Sequence, residues 1–271
     1  MLLLASKSPG RLSTLRQAGV EPLVRVSEVD EPAVLRALAR ERAEAGEPAP
    51  SAQEQVQALA RAKALAVASS LTDQERALPG LVVVGCDSML KIGGEVVGKP
   101  RTPQRVRERW RAMRGRSGAL HTGHVLVRAD DGASTEGVST ALIDFGEPTD
   151  AEIDAYAATE EPLWCAGAFT LDGLGGAFVE AVHGDPHGVV GISLPLLRRL
   201  LAELGVTWTD LWTSNATTSA PGAEEPSGAA PRAEAPRSEA LRSEAPSSEA
   251  PQSSAPQSTD LLGTRPEGAG E

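Results

Sequence analysis

The sequence predicts an α/β domain over residues 1–213, on three observations. Short valine- and leucine-rich runs alternate with stretches of helical apolar spacing. Serine, threonine, proline and glycine fall where such elements begin and end. The run Val82-Val83-Val84, fit for a buried strand, leads through Gly85-Cys86 into Asp87, and ligands of α/β folds gather where strands end.

Taken in order, Leu2–Ala5 reads as a short buried strand. A helix then opens at Ser8-Pro9, with serine as cap and proline in the first turn, and closes at Gly19. Glu31, in Val29-Asp30-Glu31-Pro32, falls in a loop after a strand, and Arg40–Ser51, rich in Ala, Glu and Pro, reads as a loop extension. Gln53–Ser70 has apolar residues at Val56, Leu59, Ala60 and Val67, the spacing of a helix with one inward face. Leu81–Val84 is a strand. Met89–Ile92 and Glu95–Gly98 flank Gly93-Gly94, a two-residue hairpin signal. Pro103–Arg114 is a helix capped by Thr102, and His124–Val127 is a strand. Thr149–Thr159 is a capped helix, and Leu194–Leu204 is a leucine-striped helix closed by Gly205.

Composition sets the outer limits. The chain has 271 residues, 41% hydrophobic but only 3% aromatic, so its core should be built mostly from Leu, Val and Ala. A formal net charge of −11 argues against stable nucleic-acid binding or a broad contact with anionic membrane, though not against a small basic pocket. Two cysteines make no disulfide framework, which fits a reduced, cytoplasmic protein, and both read as small buried hydrophobes. No run is long enough to span a membrane, and the opening leucines are too few for a signal peptide. Beyond residue 213 prolines recur five apart at 221, 226, 231 and 236, in an Ala/Pro/Ser/Glu-rich tract that buries too little to offset its ordering entropy. Residues 214–271 are expected to be a disordered tail.

Several side chains stand where chemistry could use them. The helix opening at Ser8 directs free N–H groups toward a strand end, an arrangement that suits phosphate. Arg11 lies in its first turn, where a cation opposes the local dipole unless an anion balances it. Lys63 shares its helix face with Leu59, Ala60 and Val67, so it either meets a partner inside or snorkels to the edge. In the hairpin register Ile92 pairs with Glu95, and the count runs back to Ser88 opposite Lys99. Asp87 is then one residue from the Lys99 position, at the same end of the sheet. Glu31 adds a second acid. Two acids near several cations and a helix N-terminus would suit a magnesium-bound polyphosphate. His121, His124, His183 and His187 lack metal-site spacing with cysteine, so zinc is not expected.

The motifs together resemble the Maf family. LLLASKSPGRLSTLRQAG, VDE, ARAKALAVA, VVVGCDSMLKIGGEVVGKP, RGRSGALHTG and EPLWCAGAFTLDGLGGAFVEAVHGDPHGVVGISLPLLRRLL occur in that family's order across about 1–205, with a likeness to actinobacterial-type members ending in Trp-Thr-Asp-Leu-Trp. The resemblance implies a long twisted mixed sheet flanked by helices, with a deep central cleft, and a chain that is often a homodimer. It implies a nucleoside triphosphate pyrophosphatase that cuts between the α and β phosphates and needs a divalent cation, Mg²⁺ or Mn²⁺. By motif, Asp87 matches the catalytic acid that accepts a proton from water, and Glu31 an acid associated with metal or water. Ser8, Arg11, Lys63 and Lys99 match the groups that hold phosphate.

Departures from the family pattern bear on the choice of base. The usual Ser-Pro-Arg-Arg is Ser8-Pro9-Gly10-Arg11, a common Asp-Lys pair is Trp164-Cys165, and Gly-Ile-Gln-Gly is Thr170-Leu171-Asp172-Gly173. Cys-Ala-Gly-Ala-Phe leans toward members that use 7-methyl-GTP. Trp164, Phe169 and Asp172 are the candidates for base recognition, with core packing as the alternative for the two aromatics. Two other functions stay open on sequence: a nucleotide-binding regulator linked to septum formation, and an inosine- or xanthosine-triphosphate pyrophosphatase.

Overall fold

A computed structural model describes residues 1–213. The expectation for 214–271 lies outside the described residues. The elements in chain order are β1 (Leu2–Leu4), α1 (Pro9–Gln17), β2 (Leu23–Val24), α2 (Glu31–Glu44), α3 (Ala52–Ser69), α4 (Asp73–Arg76), β3 (Val82–Ile92), β4 (Glu95–Val97), α5 (Pro103–Met113), β5 (Ser117–Arg128), β6 (Ser134–Phe145), α6 (Asp150–Ala158), β7 (Val179–His183), α7 (Pro186–Val190) and α8 (Leu194–Glu203). Short 3₁₀ turns at Glu161–Trp164, Ala166–Ala168 and Leu174–Phe178 lie between α6 and β7, and another at Trp208–Leu211 follows α8.

The strands form one mixed sheet in the order β2-β1-β3-β5-β6-β7, with β4 also paired to β3. β1 runs parallel to β2 and β3, while the β3–β5, β5–β6 and β6–β7 pairs are antiparallel. Alternation along β3 sets up two cores. Val82, Val84 and Cys86 pack with Leu15 of α1 and Leu197, Leu200 and Leu201 of α8. Val83 packs on the other face with Ala60, Ala64 and Val67 of α3.

A third core is aromatic. Trp110 of α5 meets Phe145, Tyr156 and Phe178 edge-on at 5.5–5.9 Å, and its indole N–H donates to Ala168 O at 2.8 Å. All three phenylalanines and the one tyrosine of the chain belong here or pack against it. The expected Leu/Val/Ala core therefore holds for two clusters, and the few aromatics are concentrated in the third.

Several expectations are corrected. Glu31 is not in a loop: Asp30 caps α2 through the Ala33 N–H at 2.9 Å, and Glu31 is the first helical residue. Helix α2 also runs through Arg40 to Glu44, so only the end of the Arg40–Ser51 stretch is loop. The hairpin pairs Ile92 with Glu95 as expected, but its ladder ends at Leu90–Val97, so Ser88 opposes Thr122 of β5 and not Lys99. The expected strands at 81–84 and 89–92 are one strand, β3, so Asp87 lies within it and not at its end; the strand at 124–127 is the apolar part of the longer β5, and β6 and β7 were not expected.

Candidate active site

The position of Asp87 follows from the pleat. Val83, Gly85 and Asp87 share the β3 face that α3 covers, and Asp87 pairs with Gly123 of β5. A Cβ on Gly85 would lie 2.3 Å from Ala60 O, and one on Gly123 would lie 2.6 Å from Val56 O. Only glycine at both places lets α3 rest its backbone on the sheet. That close approach carries Lys63 down onto the middle of β3.

Lys63 Nζ donates to Asp87 Oδ1 at 2.6 Å and lies 2.6 Å from Glu31 Oε1. The side chains of Lys63 and Asp87 are 12% and 13% exposed, so this contact is largely withdrawn from water, whereas Glu31 at 43% is open to solvent. Lys63 thus meets partners and does not snorkel away. Burial alone would raise the Glu31 carboxyl. The hydrogen bond and charge of Lys63, with the charges of Lys99 and Arg11 further off, hold it below the usual carboxylate range.

Arg11 enters from α1. Its Nε donates to Gly191 O at 2.7 Å, Nη1 to Ser6 Oγ at 3.0 Å, and Nη2 to Ser88 Oγ at 3.1 Å. It therefore reaches the residue next to Asp87 and is buried. Ser8 caps α1, its Oγ accepting from the Arg11 N–H at 3.5 Å while its own N–H donates to Ser6 Oγ at 3.2 Å. Lys99 has no hydrogen bond or ion pair among the described residues, and its charge reaches Glu31 and Cys165 through space. Ser8, Arg11, Glu31, Lys63 and Asp87 are brought together, with Lys99 at longer range.

Gly10, which stands where the family pattern has an arginine, faces a neighbour. A Cβ there would lie 3.1 Å from Val190 Cγ1 and 3.8 Å from Asp172 Oδ2, so the α7 turn occupies the space beside it. Asp172 is exposed near this end of α1. Trp164 is 66% exposed in the first 3₁₀ turn, free to meet a ligand. Phe169 is the exception among the expected base contacts. At 4% exposure it lies edge-on to Phe145 at 5.1 Å, so its ring is core.

Neither cysteine hydrogen-bonds to this cluster. Burial pushes the Cys86 thiol up to about 11, which keeps it a neutral core group. Cys165, half-buried and also pushed up by burial, donates its thiol to Glu161 O at 3.6 Å. A cavity of about 680 Å³ lined by Arg25, Ser70, Thr72, Gln74, Glu75 and Leu78 shares no residue with this cluster. The residues the sequence left unassigned are Ser6, Thr122 and His124. Thr122 and His124 lie on β5 beyond the apolar half that marks it as a strand, or at its border.

The two carboxylates already converge on one positive centre, the Lys63 ammonium. They offer only oxygen donors, which fits a hard cation completed by phosphate and water. Among the described residues no group of three or more acidic, histidine or cysteine side chains forms a metal site by itself.

Residues 1–204 match the family model for Maf-like proteins. A protein of Saccharopolyspora erythraea named nucleoside triphosphate pyrophosphatase is 54% identical over 214 residues, which is 78% of this chain and 96% of the relative. Proteins of the same name from Rhodococcus jostii and Streptomyces coelicolor are 50% and 47% identical, over 79% and 78% of this chain and 96% and 94% of theirs. The acid–lysine–acid cluster stands inside the matched span, and the chain belongs to the Maf-like family.

Proposed function

We propose that this protein is a nucleoside triphosphate pyrophosphatase. It adds water across the α–β phosphoanhydride of a nucleoside or deoxynucleoside triphosphate, giving the monophosphate and pyrophosphate. The observation that supports this most directly is Lys63 held between Asp87 and Glu31, on a stretch of β3 that Arg11 also reaches.

Asp87 is the general base in this reading. As the water oxygen bonds to phosphorus and the anhydride P–O bond breaks, one water proton passes to its carboxylate. Arg11, Lys63 and Lys99 bind the phosphates and balance the charge that collects on the departing pyrophosphate. In the first turn of α1 Pro9 has no N–H and those of Arg11 and Leu12 donate to Ser8, so Gly10 supplies the one backbone N–H for a phosphate oxygen. Glu31 and Asp87 would hold a Mg²⁺ or Mn²⁺ ion, which when bound neutralises charge on the polyphosphate. The Trp164 indole gives the base a surface to stack on, and the Asp172 carboxylate accepts from its N–H edge. We further expect a cytoplasmic enzyme acting as a homodimer, with a role in cleaning the nucleotide pool.

The experiment is a panel of canonical and modified triphosphates with Mg²⁺ or Mn²⁺, assayed for pyrophosphate. Release of pyrophosphate and monophosphate in equal amounts is expected. Release of inorganic phosphate in place of pyrophosphate, or tight binding of every nucleotide without turnover, would overturn this reading.

A further inference from the structure

Thr122 is wholly buried on β5, opposite Ser88. Its Oγ1 donates to Gly188 O at 2.8 Å and lies 2.8 Å from Ser88 Oγ. A carbonyl can only accept, so the single hydroxyl hydrogen of Thr122 belongs to Gly188. Thr122 must then accept from Ser88, whose one hydrogen is thereby committed. The lone pairs of Ser88 are left to face Arg11 Nη2 at 3.1 Å. Every hydrogen in this chain is set by the carbonyl at its far end.

Both ends of the clamp return to the same short turn. Gly188 O, in α7, terminates the hydroxyl chain, and Gly191 O, just after it, accepts directly from Arg11 Nε at 2.7 Å. Ser6 takes Nη1. Three of the five guanidinium N–H groups are occupied by protein, which leaves one on each terminal nitrogen for a phosphate. A buried guanidinium so tied cannot swing between rotamers, and its remaining donors have a set direction.

We infer that Thr122 is a positioning residue for the phosphate arginine, acting on Arg11 through Ser88 without touching substrate. The inference rests on the hydrolase reading above. Removing the Thr122 hydroxyl frees the Ser88 hydrogen to turn toward Arg11, where donor would meet donor. Arg11 then loses its fixed direction, and the cost appears in holding the polyphosphate.

The test is a double-mutant cycle of Arg11→Ala and Thr122→Val. It is read in KM and kcat for pyrophosphate release, and separately in the Kd of an α,β-methylene nucleoside triphosphate with Mg²⁺ by calorimetry. Thr122→Val is expected to raise KM and Kd about tenfold with kcat within about threefold, and Thr122→Ser to restore both. In the Arg11→Ala background the same change should move Kd by less than about twofold. Should Thr122→Val fail to fold, Ser88→Ala opens the chain one step nearer Arg11 and should give the same rise. An undiminished effect without Arg11, or no rise in Kd for either variant, overturns the inference. If the wild type binds the analogue but releases no pyrophosphate, the hydrolase reading fails while the Kd cycle still decides this one. A wild type that binds no nucleotide overturns both.

Discussion

Lys63 Nζ and Asp87 Oδ1 stand 2.6 Å apart, joining the inward face of a helix to the middle of a buried strand. The valine run of β3 can therefore finish on an acid, because the partner that offsets its desolvation is delivered by α3. Asp87→Asn keeps the shape and an oxygen to accept from Lys63, but loses the group that takes a proton. Pyrophosphate release should fall by about 10²–10⁴-fold. The thermal midpoint should stay close to that of the wild type, and a variant retaining full turnover would remove Asp87 from the chemistry.

Lys63 serves both acids, so its loss should show in the metal-free protein. Lys63→Met leaves Glu31 and Asp87 converging with no cation between them, and their repulsion should strengthen the attraction for a divalent ion. Calorimetric titration of Mn²⁺ without nucleotide should show tighter binding than in the wild type. Turnover should fall, since a phosphate contact goes with the ammonium. Weaker Mn²⁺ binding in the variant would mean that the two carboxylates do not share an ion.

Gly85 tests how the site is assembled. A methyl group there would meet Ala60 O at 2.3 Å and Ala64 N at 2.7 Å, both helix backbone that cannot rotate aside. Gly85→Ala should destabilise the domain by about 1–3 kcal/mol through overpacking. Because the only relief is to lift α3, kcat/KM should fall as well, although residue 85 touches no substrate. Urea unfolding and steady-state kinetics on one preparation check both, and an active, fully stable variant would show that α3 need not lie so close.

What the sequence could disclose depended on where apolar patterning survives. Lys63 stood out because Leu59, Ala60 and Val67 surround it on one helical face, and the Gly93-Gly94 hairpin was legible from its turn alone. Helix α2 was missed because it buries none of its residues, so it carries no apolar stripe, although Asp30 and Pro32 were present as start signals. β5 was seen only in its valine-rich part, and β3 as two pieces, its valine run and Met89–Ile92, without the stretch between. Their polar portions, with Asp87, Ser88, His121 and Thr122, break the alternation that marks a strand, and three of these four belong to the site or its support. Counting the hairpin ladder put Lys99 opposite Ser88, one residue from Asp87, but pairing stops at Leu90–Val97.

His124 predicts an acid limit to stability. Its Nε2 accepts from the Ser193 N–H at 2.9 Å, so Nδ1 carries the hydrogen donated to Thr122 O at 3.0 Å. Burial pushes the imidazole down to about 4. The Thr122 carbonyl and, weakly, Asp185 favour the charged form, and Arg11 opposes it. The unfolded chain therefore binds a proton below about pH 6.5 that the folded chain refuses until about pH 4. Stability conferred by the neutral ring is complete above that window and is lost as pH falls through it, by about 1.4 kcal/mol per pH unit. Urea unfolding from pH 7.5 to 4.5 should show this slope. His124→Asn should be less stable at neutral pH but flatter by one proton, and an unchanged slope would mean that the ring is not buried neutral.

Trp164 and Phe169 lie in one short segment and should answer opposite assays. Phe169 is packed edge-on to Phe145 in the aromatic core, so Phe169→Ala should cost about 3–5 kcal/mol of stability. Trp164, two-thirds exposed, holds no such core, and Trp164→Ala should stay within about 0.5 kcal/mol of wild type. If its indole stacks on the base, the loss of about 1–3 kcal/mol of stacking should raise KM about tenfold or more, and more for purine than for pyrimidine triphosphates. The discriminating quantity is the ratio of purine to pyrimidine kcat/KM in the two variants. A fall confined to Trp164→Ala assigns base contact to the exposed ring, whereas an unchanged ratio would remove this tryptophan from recognition and leave Asp172 as the remaining candidate.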